Sequence, residues 1–183
     1  MQAADHRRWL KYIAAVAGAF VILCAAATWA REKARRISCL GNFKSIGLAL
    51  RMYSGDNQAH FPPSLRYLIT EQYLTTAKVY TCPSTGTETL ASARLLEFDE
   101  ERHSDYVYLG SGLTEDCQGQ DPARTVLLHD REGNHHQFVN VLFSNGAVEG
   151  YRGSSMSQIA GREGLIIPLV RFPGGSTEDD RQE

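Results

Sequence analysis

The chain has 183 residues, 43% of them hydrophobic and 22% charged, with a mean hydropathy of −0.31 and a formal net charge of −2. Those values suit one modest domain of roughly 100–150 residues with extensions, and they exclude a disordered chain, a collagen-like repeat and a polytopic membrane protein. They also argue against a dedicated nucleic-acid binder, which needs a basic excess to neutralise phosphates. The total conceals a partition: residues 1–51 carry nine Lys/Arg against two Asp/Glu, and residues 52–183 carry ten against nineteen, so the two segments net +7 and −9.

The basic segment contains an uncharged run of eighteen residues from Ile13 to Ala30, or twenty-one from Leu10 if the Lys11 ammonium reaches back to the headgroups. At 1.5 Å per residue such a helix covers a hydrocarbon core of about 30 Å. Trp9 and Tyr12 at one end and Trp29 at the other stand where aromatic belts form. The expectation is a transmembrane helix over residues 13–30, preceded by a short terminus at 1–12. A second reading is a cleaved signal peptide and a secreted soluble domain, with Arg7 and Arg8 as the basic region, Ile13–Cys24 as the apolar core and Ala25-Ala26-Ala27 as the small-residue cleavage site. A lipid-modified Cys24 is disfavoured by the bulky Leu23 before it. A buried core helix this uniformly apolar would need a larger protein around it. Flanking charge leaves orientation nearly tied, with Arg7, Arg8 and Lys11 on one side and Arg31, Lys33, Arg35 and Arg36 on the other. That second basic set reads as an anionic-lipid contact, and it lacks the interleaved aromatics of a nucleic-acid site.

Helical periodicity continues past the apolar run. Ile37, Leu40, Phe43, Ile46, Leu50 and Tyr53 recur every three or four residues, so residues 31–54 are expected to extend the helix and lay one face on a small domain. Gly41 and Gly47 each weaken that stretch by about 1 kcal/mol relative to Ala unless close packing needs them. The helix should end at Ser54-Gly55-Asp56-Asn57. Residues 55–152 then read as an α+β domain. Ser64 after Pro62-Pro63 could cap a short helix carrying Leu65, Leu68 and Ile69. Lys78–Cys82 reads as a strand closed by Pro83, residues 84–104 as a polar surface excursion, and Asp105–Leu109 as a strand. Three antiparallel strands are expected over residues 125–151, the last two joined by Asn145-Gly146 as a type I′ hairpin turn with positive φ at both positions. Residues 153–183 should hold a short helix near Met156–Arg162 and a disordered acidic tail from Pro173.

Candidate chemistry clusters in residues 128–136. His129, Asp130, His135 and His136 could supply metal ligands on a loop between strands, and a His-Asp pair suggests a metal-dependent hydrolase. Short motifs of this kind are often structural. In that plainer reading His135 bonds a backbone group beside the hairpin, and Asp130 accepts the amides of Gly133 or Asn134 in a turn. No cofactor and no catalytic residue is assigned. Cys24 falls within the apolar run, leaving Cys39, Cys82 and Cys117 for one disulfide and a spare thiol. Cys39 and Cys82 are the expected pair, one on the helix and the other on a segment that must pack against it. Their bridge would close a loop of about 44 residues and constrain the unfolded chain by roughly 3–4 kcal/mol. The alternative is two free thiols, Cys39 being a small buried residue.

The order of these features resembles a known family. Arg35-Arg36-Ile37-Ser38-Cys39-Leu40-Gly41-Asn42-Phe43-Lys44-Ser45-Ile46-Gly47-Leu48-Ala49-Leu50, then Tyr53, Asp56-Asn57 and Phe61-Pro62-Pro63, is similar to the helix-to-loop segment of bacterial prepilin-like proteins and the pseudopilins of type II secretion. Tyr80-Thr81-Cys82-Pro83-Ser84 resembles their Cys-Pro segment. His135, nine residues, then Asn145-Gly146, with Asn140-Val141-Leu142-Phe143 between them, resembles a C-terminal motif of His, nine residues and Asp-Gly. Replacing the Asp by Asn145 keeps a turn former and removes a charge that a Ca²⁺ site would use. The resemblance implies a pilin-like α+β fold, a long helix half in the membrane and packed on a small antiparallel sheet. It further implies a cytoplasmic N-terminus and a domain outside the inner membrane, with inner-membrane lipid and other pilin-like subunits as partners. Residues 1–30 hold no counterpart of the glycine and Phe-Thr-Leu-Ile-Glu stretch at which prepilins are processed, and no acidic residue lies between Asp5 and Glu32. The expected role is structural and non-enzymatic, in a secretion or pilus-like apparatus.

Overall fold

The computed structural model describes residues 2–168. Helix α1 runs unbroken from Gln2 to Asp56, and the chain divides at Arg35 into two compact units. Among the described side chains of the first unit the apolar ones are bare: Trp9, Phe20 and Trp29 are each about two-thirds exposed. None of the most hydrophobic stretch is buried by protein, so a core helix is excluded for it. The helix is long and apolar enough to cross a membrane. The one hydroxyl of residues 13–30 is satisfied internally, with Thr28 Oγ1 donating to the Ala25 carbonyl at 2.8 Å, as a lipid environment requires.

The second unit is α+β. After α1 come α2 (Arg66–Thr70), α3 (Glu100–His103), β1 (Tyr106–Tyr108), β2 (Val126–Asp130), β3 (Phe138–Phe143), β4 (Val148–Arg152) and α4 (Met156–Glu163). The strands form one antiparallel meander in the order β1-β2-β3-β4. Tyr106 pairs with Asp130, His129 with Val141, and Val139 with Tyr151. Alternation along each strand gives the sheet two apolar faces. Leu128 and Leu142 pack with Cys39, Phe43, Ile46 and Leu50 of α1. Val126, Val139, Val141 and Phe143 pack with Met156 and Ile159 of α4. A register shift between Val126 and Leu128 lets Leu127 join the α1 side along with Leu128.

The buried stripe of α1 is Cys39, Phe43, Ile46, Ala49, Leu50 and Tyr53, and Ile37 is 60% exposed. The expected stripe was therefore displaced at its start, where Cys39 rather than Ile37 faces the sheet. The two glycines separate cleanly. A Cβ on Gly47 would lie 2.8 Å from Leu142 Cδ1, whereas one on Gly41 would meet nothing within 4 Å. Gly47→Ala is expected to destabilise the domain by about 1–3 kcal/mol through overpacking, and Gly41→Ala to stabilise it by about 0.5–1 kcal/mol through helix propensity. Thermal melts of the two variants, which should move in opposite directions, check this.

Several expectations are corrected. Lys78–Cys82 is not a strand: Ala77–Tyr80 form a 3₁₀ turn, because Tyr80 must turn inward, where its ring meets Phe98 at 4.9 Å and its hydroxyl donates to the Leu74 carbonyl. Residues 84–104 are more than a surface excursion, since Phe98 is 1% exposed and Asp99 caps α3 by accepting from the Glu101 and Arg102 amides. Ser64 does not cap α2 through its side chain; the Leu65 amide donates instead to Glu100 Oε1 at 2.9 Å. The β3–β4 turn has positive φ at Gly146 alone. The Gly146 amide donates to the Phe143 carbonyl, and the Phe143 amide to the Ala147 carbonyl, so Ser144-Asn145-Gly146 form a three-residue loop with glycine in the left-handed position. Asn145 contributes its Oδ1, which accepts from the Ala147 amide at 2.9 Å. The short C-terminal helix is α4, and the acidic tail from Pro173 lies outside the described residues.

Candidate functional site

The polar chemistry gathers where α1, the segment around Cys82 and the α1 face of the sheet meet. Asp130 and Asn140 continue the inward parity of Leu128 and Leu142 along β2 and β3, so two polar side chains stand on a face otherwise occupied by leucine. Asp130 Oδ2 accepts from the Asn140 amide and from Asn140 Nδ2, both at 2.7 Å, while the buried Asn140 Oδ1 has no hydrogen-bond partner among the described residues. Asn134 Nδ2 approaches Asp130 Oδ1 at 3.4 Å and donates to the Asp105 carbonyl at 2.7 Å. Burial raises Asp130 from its ordinary value of 3.8 to about 6, against the lowering effect of the Asn140 amide and of His135 nearby.

His135, 5% exposed, is seated above this carboxylate. Its Nδ1 lies 3.1 Å from Ser84 Oγ, and its Nε2 lies 3.5 Å from Cys82 Sγ and 4.0 Å from Asp130 Oδ2. Cys82 Sγ in turn lies 3.1 Å from Cys39 Sγ, and both are free thiols, so the two expected partners meet without the disulfide being formed. Tyr106 closes the far side, its hydroxyl 3.7 Å from Cys39 Sγ and donating to the Thr81 carbonyl at 3.1 Å. Asn42, off the apolar stripe of α1, reaches the same carbonyl at 3.0 Å and the Tyr106 hydroxyl at 3.1 Å. The Cys82 segment is held by a second carboxylate: Asp105 accepts from the Cys82 amide at 2.7 Å and from the Thr85 and Thr87 hydroxyls at 2.6 Å.

The two thiols are inequivalent. Cys82 is pulled down to about 5, first by the hydrogen bond from Cys39 and then by His135 and the Ser84 amide, with burial opposing. Cys39 is pushed well above the ordinary thiol range by the same contact with Cys82 and by burial. Thiolate character therefore favours Cys82, which His135 and the Ser84 amide both address, while the Tyr106 hydroxyl is the group that favours it at Cys39.

Of the residues singled out in the sequence, Asp130, His135, Cys39 and Cys82 come together. His129 and His136 do not join them. His129 faces the opposite side of the sheet from Asp130, being one position along β2, and its Nδ1 lies 2.8 Å from the Asp130 carbonyl oxygen. Burial lowers its proton affinity. His136 is exposed, and its carbonyl accepts from Arg36 Nη2 at 3.0 Å. The four-residue metal set is thereby broken up. His135 meets the Ser84 hydroxyl and the Cys82 sulfur. Asp130 serves Asn140 rather than the Gly133 amide. Cys117 is buried, with its sulfur 3.8 Å from the Glu115 carbonyl.

Ser84, Tyr106, Asn42 and Asn140 were missed from sequence. Asn140 had a legible signal, as the polar member at an inward position between Phe138 and Leu142. Asn42 had none, since its position only gains meaning once the Thr81 carbonyl is brought to it. Arg36 likewise leaves the basic set to stack over the Phe138 ring, 4.8 Å from its centroid, while Lys33 lies 5.3 Å over Trp29.

Residues 28–68 match the family model described as "Protein of unknown function (DUF1559)". That family is associated with prepilin-like proteins. The matched segment covers the end of the apolar run, the C-terminal half of α1 with Cys39 and Asn42, and the Phe61-Pro62-Pro63 turn. Cys82, Asp130, Asn140 and the His135-to-Gly146 motif fall outside it. Neither curated proteins nor solved structures gave a match.

Proposed function

We propose that the chain is a single-pass, inner-membrane-anchored, pilin-like subunit with a structural, non-enzymatic role in a type II secretion or type IV pilus-like apparatus, its C-terminal domain on the extracytoplasmic side. The observation that carries this reading is one uninterrupted helix with two apolar environments. Its residues 13–30 are apolar and uncovered, and its stretch from Cys39 to Ser54 supplies the core of a four-stranded domain. A helix that only anchored would not need the second stripe, and one that only built a core would not leave the first bare. The match of residues 28–68 to a family associated with prepilin-like proteins supports the same reading.

The contacts to other subunits would fall on the side of α1 that the domain leaves uncovered. Ile37, Leu48 and Met52 are between 51% and 64% exposed there, at spacings that place them away from the buried stripe. Photo-crosslinking from position 52, on the same uncovered side, should capture other pilin-like subunits in native membranes. Leu48→Lys should abolish that capture while shifting stability by no more than about 0.5 kcal/mol, as exposed substitutions do. Capture unaffected by Leu48→Lys would move the contact elsewhere, and no capture of any pilin-like chain would end the assembly role.

The anchored reading has its own test against the secreted one. N-terminal sequencing of the membrane-extracted protein should recover residues upstream of Ile13. A start at Thr28 or Arg31 would make the domain a secreted one.

A further inference from the structure

The Cys39–Cys82 contact points beyond packing. Two buried thiols that merely fill space sit at van der Waals distance, whereas these sulfurs are 3.1 Å apart. A shared metal ion would hold them further apart, since two thiolates on a tetrahedral zinc with bonds of about 2.3 Å stand roughly 3.8 Å from each other. The surroundings are directional too. Cys82 lines an open cleft of roughly 280 Å³ together with Ser38, Asn42, Thr81, Thr85 and Thr87, and Cys39 does not line it. His135 Nε2 and the Ser84 amide, 3.5 Å and 3.4 Å away, both address the Cys82 sulfur. Ser84 Oγ holds the other ring nitrogen of the same imidazole.

We propose that Cys39 and Cys82 are an oxidisable pair that closes to a disulfide by thiol–disulfide exchange, with Cys82 as the attacking sulfur, Cys39 as the resolving one and His135 as the residue that positions and activates Cys82. The co-reactant is a small-molecule disulfide admitted by the cleft. The Cys82 thiolate attacks one sulfur of that molecule, forming a mixed disulfide and expelling one thiolate. That thiolate takes the Cys39 proton, and the Cys39 thiolate then attacks the Cys82 sulfur and expels the second small thiolate, which takes up the proton Cys82 released on ionising. Two protein thiols are oxidised and one small disulfide is reduced to two thiols. The product ties α1 to the segment between α2 and β1. It gives the His of the His135-to-Gly146 motif a chemical role independent of the assembly reading.

The test uses the full chain in detergent, reduced with a phosphine, freed of it, and treated with bis(2-hydroxyethyl) disulfide at several pH values before acid quenching and peptide mass spectrometry. The wild type should yield the Cys39–Cys82 cross-linked peptide. Cys39→Ser should accumulate the hydroxyethyl mixed disulfide on Cys82. In Cys82→Ser, Cys39 should react at least tenfold more slowly than Cys82 does in the reciprocal variant. His135→Gln should slow the Cys82 step at least tenfold at neutral pH and match the wild type at alkaline pH, where the thiolate forms unaided. If near-UV circular dichroism shows that His135→Gln has lost its fold, Ser84→Ala, which releases the same ring at Nδ1, should show the same pH-dependent slowing. Equal reactivity of the two cysteines overturns the proposal. So does a pH-independent effect of the folded His135 or Ser84 variant, or one equivalent of a bound transition metal that protects both sulfurs in the reduced protein.

Discussion

Phe43→Ala is expected to cost about 3–5 kcal/mol, the range for emptying a buried aromatic site. Phe43 has no exposed surface, and its ring meets Tyr106 edge-to-face at 4.7 Å. It is the point where α1 is keyed to both the sheet and the Cys82 region, because Tyr106 also carries the hydrogen bond to the Thr81 carbonyl. The surrounding side chains come from a continuous helix and a hydrogen-bonded strand, and neither can collapse far into the vacated space. A domain of this size has only about 5–15 kcal/mol of stability to lose. Urea titration of the full chain in detergent, followed by near-UV circular dichroism, should show a large fall in midpoint with the slope little changed. A fall of less than 1 kcal/mol would mean that α1 does not form the core as described.

Asp130 should give the second large effect, and it carries a pH signature. Asp130→Ala leaves the Asn140 amide and Asn140 Nδ2 buried without an acceptor, which is expected to destabilise the domain by about 2–5 kcal/mol. The intact carboxyl is raised by burial from 3.8 to about 6. Between those values the folded state holds a proton that the unfolded chain has released. Its stability contribution is therefore complete below about pH 4 and is lost as pH rises through 6, on the order of 3 kcal/mol across the window. Asp130→Asn, which cannot ionise and still offers an oxygen to Asn140, should lack that slope. Comparing unfolding free energies of wild type and Asp130→Asn from pH 4 to 7 checks the sign. A difference that stays flat, or that runs the other way, would place Asp130 in a wetter setting than its neighbours indicate.

Some parts of this site were legible because their signal is local, and others were not because it is not local. The His129-Asp130 pair shows the limit plainly. Adjacent in sequence, the two suggested cooperation, yet strand alternation sends them to opposite faces, and His129 is left against a backbone carbonyl. The His135–Cys82 contact shows the converse, since 53 residues separate the two and nothing in either segment's own pattern names the other. The expected strand at Lys78–Cys82 failed for a related reason. Its β-rich composition was overridden when Tyr80 turned into the core against Phe98, a residue from a stretch that composition alone had assigned to the surface.

The sequence by itself determined the elements whose signals repeat along the chain. Those are the apolar run of residues 13–30, the helical stripe ending at Asp56, the strands of residues 126–152 and the turn at Gly146, because periodicity and turn chemistry act between neighbours. It also brought Cys39 and Cys82 forward as a pair. Only the tertiary structure decided which face of α1 is buried, that Asp130 answers Asn140, and that His135, Ser84 and the open cleft all fall to Cys82 and not to Cys39. Those outcomes depend on the register between elements, and register is set by packing across the core, where residues far apart in the chain compete for the same buried space.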